Sequence, residues 1–471
     1  MIRPSRFQDR VRRVHMVGIG GAGMSGIAEV LMQLGFTVTG SDLASSEAVR
    51  HLRQLGAVIH PAHDAVQVEG ADVLVVSSAI AADNPEVAAA RAARIPVVPR
   101  AEMLGELMRF REGIAVAGSH GKTTTTSLTA SLLAAGGLDP TCIIGGVVNA
   151  FGSHARLGRG SYLVAEADES DGTFLLLPPM IAVVTNIDRD HLGHYGGRFD
   201  RLVAAFEEFV HHVPFYGLVV VAGDDPELQA LVPRIHRPVR VTGFGAGAEV
   251  RASDIAAAGL AMRFTLHLPN EAPRPVHLNL PGEHNVKNAL CAAAVAYELG
   301  VDAATIATGL AEFGGVGRRF TRIGRWAVNG GAAELYEDYA HHPREIAATM
   351  SAARAAWPGQ RLVVVFQPHR YSRTRELLDE FAAVLAAADG LLVAPVYAAG
   401  EPVIEEGRAE RLCRAIRSHG KVEPVYLPDL SALRDELPRS VKAGDHVLLL
   451  GAGDIGRLAT ELRSELAEGA V

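Results

Sequence analysis

The stretch AVAGSHGKTTTTS, residues 115–127, decides how the rest of the chain is read. An apolar run ends in two glycines, Gly118 and Gly121, followed by a lysine and four threonines that open the helix-compatible segment SLTASLLAAGG. A strand, a glycine turn and a helix N-terminus are what an anion requires, because backbone N–H groups and the helix dipole converge on one point. The common phosphate-loop pattern G-x-x-x-x-G-K-[ST] is not met, since Val116 stands five residues before Gly121. The shortened loop keeps the chemistry. Gly118, Ser119, His120 and Gly121 can form the cradle, Lys122 supplies a movable cation, and Thr123 and Thr124 bring hydroxyls to the helix start, Thr123 being placed to meet Mg2+. The expectation is a nucleoside-triphosphate site with a variant loop.

The lysine carries extra weight here. Of 45 basic residues only Lys122, Lys287, Lys421 and Lys442 are lysine. Codon bias accounts for the preference, but a planar guanidinium replaces a compact ammonium poorly between phosphates.

Moving outward, buried-strand patterns end in acids. YLVA runs into EADESDGTF, which places Glu166, Asp168, Glu169 and Asp171 at a strand's carboxyl end, where ligands of open α/β sheets collect. Mg2+ takes one or two carboxylates together with phosphate oxygens, so one of these acids is a plausible ligand. IAVVTNID leads to Asp188, Asp190 and His191, and a histidine among acids is either a metal ligand or an oriented surface residue. GLVVVAGDD is a further strand, RFDRLVAAFEEFVHHV and HNVKNALCAAAVAYELG are helices, and RFTLHL with VHLNL reads as a hairpin.

Residues before the loop alternate short strands with helical stretches, which implies a parallel sheet in a Rossmann-like layer. Gly18, Gly20 and Gly23 form G-x-G-x-x-G after VHMV, and Asp42 ends the next strand at about the spacing of a ribose ligand. The plain pattern suggests a nicotinamide dinucleotide; a diphosphate-linked nucleotide substrate would satisfy the same donors. After VNGGAA, the strands AELYEDY, RLVVVFQPHR, GLLVAPVY, VEPVYLP and HVLLLGAG again alternate with helices.

At 471 residues the chain exceeds one ordinary core, and about 150 residues per domain suggests roughly three. The expected architecture is α/β with three domains: residues 1–111 Rossmann-like, 112–324 a P-loop ATPase with a mostly parallel sheet, and 325–471 again Rossmann-like. A net charge of −8 argues against a nucleic-acid partner. Three widely spaced cysteines without C-x-x-C favour free thiols in a reducing compartment. The N-terminus lacks an apolar signal core and no run is long enough to span a bilayer, so a cytoplasmic protein without membrane insertion is expected.

GIGGAGMSGIAEVL, GSDL, AGSHGKTTTT, EADESDGTF, NIDRDHL, GEHNVKNAL, RRF, DYAHHPREI, FQPHRYSRT, PVYAAGE and GAGDIG follow one another from residue 18 to residue 456. In that order they resemble the Mur ligases, the ATP-dependent amide-forming enzymes of peptidoglycan synthesis, and most of all their alanine-adding branch. The resemblance implies an N-terminal domain for a UDP-sugar, a central ATPase and a C-terminal domain that closes over the site. It implies a reaction joining the lactyl carboxylate of UDP-N-acetylmuramic acid to the amine of L-alanine, with ATP and Mg2+.

By motif position the resemblance assigns Lys122 to the β- and γ-phosphates, Thr123 and Glu166 to one Mg2+, and His191 to a second. It makes Asn285 the adenine contact and brings Arg319, Asp338 and His341 to ATP. His369, Arg370 and Arg373 face the substrate. Gly18, Gly20, Gly21, Ala22 and Gly23, with Ser41, Asp42, Ser77 and Ser78, surround the UDP moiety. Two departures stand out. Other branches carry a metal on a carbamylated lysine, and no lysine lies between Lys122 and Lys287; Gly193 and His194 replace the acid and the polar or aromatic residue expected after His191.

Three other readings compete. A recycling ligase that attaches a whole peptide to the same UDP-sugar shares the architecture, and GIGGAGMSGIA with QPHRYSRT speaks for alanine addition. A nicotinamide-dependent oxidoreductase leaves GKTTTT, EADESD and HNVKNAL unexplained. A regulatory nucleotide-binding module without chemistry leaves the acidic cluster unexplained.

Overall fold

In the computed structural model, residues 10–77, 80–148 and 153–468 are described. The chain folds as two compact units. The first comprises residues 1–255, 264–278 and 285–316, and the second 256–263, 279–284 and 317–471. The first two expected domains therefore share a unit.

The first sheet contains β1 (Arg13–Val17), β2 (Thr37–Ser41), β3 (Val58–His60), β4 (Val73–Val76) and β5 (Val97–Pro99) in the order β3-β2-β1-β4-β5. Every pairing is parallel. The sheet reverses direction of winding beside β1, whose carboxyl end runs into Gly18 and the helix Ala22–Gln33. That is the crevice where an open α/β sheet takes its ligand.

The second sheet has ten strands: β6 (Glu112–Ala117), β7 (Thr141–Val148), β8 (Ser153–Arg156), β9 (Tyr162–Glu166), β10 (Ile181–Val184), β11 (Leu218–Ala222), β12 (Val239–Gly243), β13 (Val250–Ala258), β14 (Ala261–His267) and β15 (Arg274–Leu278). Their order is β15-β14-β13-β12-β11-β10-β6-β9-β7-β8. The predicted hairpin segments β14 and β15 are neighbours, as expected. Parallel pairing sets Val184 beside Ala117 and Val116 beside Glu166. The phosphate-loop strand is thus flanked by the two strands that end in acids. Its residues 114–117 are completely buried, as a continuous apolar run between two helical layers should be.

The third sheet, β16 (Thr321–Val328), β17 (Gly331–Asp338), β18 (Leu362–Phe366), β19 (Gly390–Val393), β20 (Pro424–Tyr426) and β21 (His446–Leu450), has the order β16-β17-β21-β18-β19-β20. β16 pairs antiparallel to β17, so this sheet begins at Thr321 and its first strand lies across the 324/325 boundary drawn from sequence. The glycine-rich stretch that suggested the boundary contains the hairpin turn inside the pair, Asn329–Gly330. Two cores cover its faces by strict alternation: Val364, Phe366, Leu448 and Leu450 pack on one side, Val363, Val365, Val447 and Leu449 on the other.

All three cysteines are buried and unpaired. Among the described residues no helix is long and apolar enough to cross a membrane.

Candidate active site

The loop between β6 and the helix Lys122–Ala135 has the backbone that its glycines allow. Gly118 has φ +137° and Gly121, the N-cap of the helix, φ +82°. A Cβ on Gly118 would stand 2.1 Å from Thr185 Oγ1, and one on Gly121 would stand 2.5 Å from Asn288 Oδ1. Neither position admits a side chain.

The shape of the loop is imposed from the end of β10. His120 N–H donates to Asn186 Oδ1 and Asn186 Nδ2 donates to His120 O, both at 2.9 Å, while Thr185 Oγ1 donates to His120 O at 2.6 Å. Asp188 N–H donates to Ser119 Oγ at 2.8 Å, and Asp188 Oδ2 lies 3.0 Å from His120 Nε2. Thr185 and Asn186 were not singled out from sequence. The available signal was the parallel neighbourhood of NID to the loop, which needs the strand order to be known.

Lys122 Nζ donates to Gly118 O and to Glu169 Oε2, each at 2.7 Å. Burial opposes its charge, but Glu169, Asp168 and Glu166 outweigh burial and raise its pKa. Of the four acids in EADESDGTF, the completely buried Glu169 takes the lysine directly. Glu166, half-buried, accepts Gly145 N–H at 2.8 Å and a hydrogen bond from the Thr123 hydroxyl. Burial pushes its carboxyl up, against the opposing pull of Gly145 N–H, Lys122 and Thr123. The structure therefore brings Lys122, Thr123 and Glu166 together. Ser127 and Thr129 donate their hydroxyls to the carbonyls of Thr123 and Thr125, so these buried groups are satisfied within the helix. Asn285 and Asn288 sit on the helix Glu283–Glu298, Asn288 Nδ2 donating to Asn285 Oδ1 at 3.2 Å with Asn288 against Gly121.

His191 has φ +56°, uncommon for a side chain of its size. Its N–H donates to Asp190 Oδ1 at 2.8 Å, and its Nε2 lies 3.5 Å from Asp190 Oδ2. Such a conformation persists only where neighbours over-determine it. His194 fills the space over Gly172, a Cβ on which would meet His194 Nε2 at 2.5 Å.

The first glycine turn is equally constrained. Gly18 (φ +75°) packs beside Ser77, and Asp42 Oδ2 accepts Gly20 N–H at 2.8 Å. Gly21 is the N-cap of the helix starting at Ala22. The Ser41 hydroxyl differs from expectation. It is fully buried and donates to Glu86 Oε2 at 2.6 Å, with His63 Nδ1 at 2.9 Å. Glu86 in turn faces the buried His15 at 3.6 Å. Ser41 supports the turn from beneath, where its carbonyl accepts Gly18 N–H and Ile19 N–H. Ser78 lies outside the described residues.

The second unit has its own polar edge. Asp338 ends β17 and accepts Phe320 N–H and Ala340 N–H, each at 2.8 Å. Burial raises its pKa, with Arg319 the chief opposing influence. His341 lies against His369 with ring centroids 5.7 Å apart, and Arg373 reaches His369 Nδ1 at 3.4 Å. Arg373 is itself buried, so it holds His369 from below, whereas Arg370 is exposed with φ +69°. His341, His369 and Arg373 are therefore gathered.

Three family models cover the chain: the Mur ligase family catalytic domain matches residues 13–112, the Mur ligase middle domain 116–296, and the Mur ligase glutamate ligase domain 318–453. The UDP-N-acetylmuramate–L-alanine ligase of Halorhodospira halophila is 56% identical over 460 residues, which is 98% of this chain and 95% of that protein. The crystal structure of UDP-N-acetylmuramate–alanine ligase from Thermotoga maritima superposes with a TM-score of 0.82 at 30% identity, covering 98% of this chain and 100% of that one. A murein peptide ligase from Psychrobacter arcticus gives 0.71 at 25% identity, covering 97% and 98%.

Proposed function

The chain belongs to the Mur ligase family, and from that premise we propose that it joins L-alanine to the lactyl carboxylate of UDP-N-acetylmuramic acid while converting ATP to ADP and phosphate. The observation that carries the reading is the loop geometry in a chain 56% identical to an alanine-adding ligase over almost its full length. Attachment of a whole peptide has weaker support: alanine-adding ligases reach 54–56% identity over 97–98% of this chain, whereas two solved peptide ligases are 25% and 31% identical, the latter over only 65% of it.

A carboxylate is a poor acyl donor because its leaving group would be oxide. Phosphorylation cures this. The sugar carboxylate attacks the γ-phosphorus, the β–γ bridging bond breaks, and an acyl phosphate forms beside ADP. The alanine amine then adds to the acyl carbon, and the tetrahedral intermediate collapses by expelling phosphate. Little covalent work falls to the protein; positioning and charge neutralisation supply the rate.

Gly118, Ser119, His120 and Gly121 form a cradle with no room for a Cβ at either glycine, which suits a phosphate chain. Lys122 bridges the β- and γ-phosphates, and the loop stays in place because Asn186 and Asp188 hold it. Glu166 and the Thr123 hydroxyl are already in contact, an oxygen-donor pair that fits Mg2+. Mg2+ there would neutralise phosphate charge, and His191 is the second-site ligand in this reading. Asn285 receives the adenine, with Asn288 orienting it. In this reading Arg319, Asp338 and His341 are nucleotide-binding residues, and His369, Arg370 and Arg373 substrate-binding ones, Arg373 acting through His369.

The test is phosphate release. It should require UDP-N-acetylmuramic acid, L-alanine and ATP together. Turnover with a nicotinamide cofactor and no ATP, or equal turnover with a tripeptide in place of alanine, would overturn the reading.

A further inference from the structure

Arg100 opens the helix Arg100–Arg109 directly after β5. Its guanidinium lies over Gly23: a Cβ on that glycine would meet Arg100 Nη1 at 2.4 Å and Cζ at 3.2 Å. Gly23 is the third glycine of the turn, in the first turn of the helix Ala22–Gln33. Part of the reason for glycine there is room for this side chain. Arg100 is half-buried, and among the described residues its guanidinium makes no hydrogen bond or ion pair.

This arrangement is electrostatically incomplete. The start of a helix carries partial positive charge and unbonded N–H groups, and a cation placed there is repelled. That repulsion becomes attraction when an anion lies between the guanidinium and the helix start. A planar fork presented to a phosphate pair is then the strongest form of recognition available to a side chain.

We infer that Arg100 is a substrate-binding residue whose guanidinium clamps the diphosphate of the sugar nucleotide against the helix start at Gly23. The inference rests on the reading of the first glycine turn as the nucleotide-sugar site.

The experiment measures equilibrium affinity without ATP for uridine, UDP, UDP-N-acetylglucosamine and UDP-N-acetylmuramic acid. The proteins are the wild type, Arg100→Ala and Arg100→Lys. Expected for Arg100→Ala is a loss of at least about tenfold, common to the three diphosphates, with uridine affinity and ADP affinity unchanged. Arg100→Lys should recover part of the loss. Equal weakening of uridine and UDP would mean a structural role and overturn the assignment. Weakening confined to UDP-N-acetylmuramic acid would move the guanidinium to the lactyl carboxylate and overturn the diphosphate assignment. Unchanged ADP affinity reports an intact fold. If wild-type protein binds none of the uridine ligands, the reading of the first domain fails; if it binds them and Arg100→Ala binds them equally, only the role of Arg100 fails.

Discussion

The side-chain oxygen of Asn288 occupies the space that a Cβ on Gly121 would need, with Oδ1 2.5 Å from that position. The helix start that offers amides to phosphate is thus pressed against the helix that carries Asn285, and the two are matched to within one methyl group. Gly121→Ala should cost about 1–2 kcal/mol from its left-handed backbone alone, more with the collision. Thermal denaturation should show the loss, and ADP affinity should fall with it.

Lys122→Ala strands the buried Glu169 carboxylate and should cost about 3–5 kcal/mol of stability, yet it should leave UDP-sugar binding intact, because among the described residues the lysine's hydrogen bonds go to its own loop and to Glu169. Turnover should fall on the order of 10²–10³-fold or more. Parallel loss of UDP-sugar affinity would relocate the substrate site.

Asp188 touches the loop through Ser119 and His120. Asp188→Asn removes the charge from the His120 contact and should weaken ADP binding by about tenfold, in line with one charge-assisted hydrogen bond. Titration calorimetry with ADP measures this directly. An unchanged affinity would show that Asn186 and Thr185 suffice.

Removal of Glu86 should be severe. It is completely buried and joined to Ser41, His63 and His15. Glu86→Ala strands those partners and should cost about 3–5 kcal/mol, read from urea denaturation. Glu86→Gln, which keeps the shape, should cost less.

His446 stacks on Trp357 at 3.8 Å, and burial pushes its pKa down. The unfolded chain therefore binds a proton there more readily than the folded one. Its contribution to stability is fully present above the ordinary histidine value near 6.5 and is lost as pH falls below it. Denaturation midpoints followed by tryptophan fluorescence should drop between pH 7 and pH 5, and His446→Gln should flatten that slope.

The phosphate loop, the parallel layers and the acid-bearing strand ends were legible because each depends on residues close in sequence. Gly118, Gly121 and Lys122 announce themselves within five positions. What escaped depends on partners far along the chain. Ser41 reads as a ligand contact until Glu86 is seen beneath it, and only strand order puts Thr185 and Asn186 against His120. Likewise, four acids in EADESDGTF are equivalent in sequence, and burial at one position singles out Glu169 for the lysine. The start of the third sheet was misplaced because a hairpin glycine turn looks the same as a linker.

The grip of residues 185–188 on residues 118–120 also governs how the enzyme can be recombined. The six residues GSHGKT do not hold their own shape; they borrow it from a segment more than sixty positions downstream. A chimera with a crossover between residues 121 and 185 would inherit one half of a mould and a casting made for another. Such hybrids should fail even when both parents are active, whereas a crossover beyond residue 288 keeps the loop, its downstream mould and Asn288 together and should be tolerated. For this protein the heritable unit of nucleotide binding is a pair of strand ends.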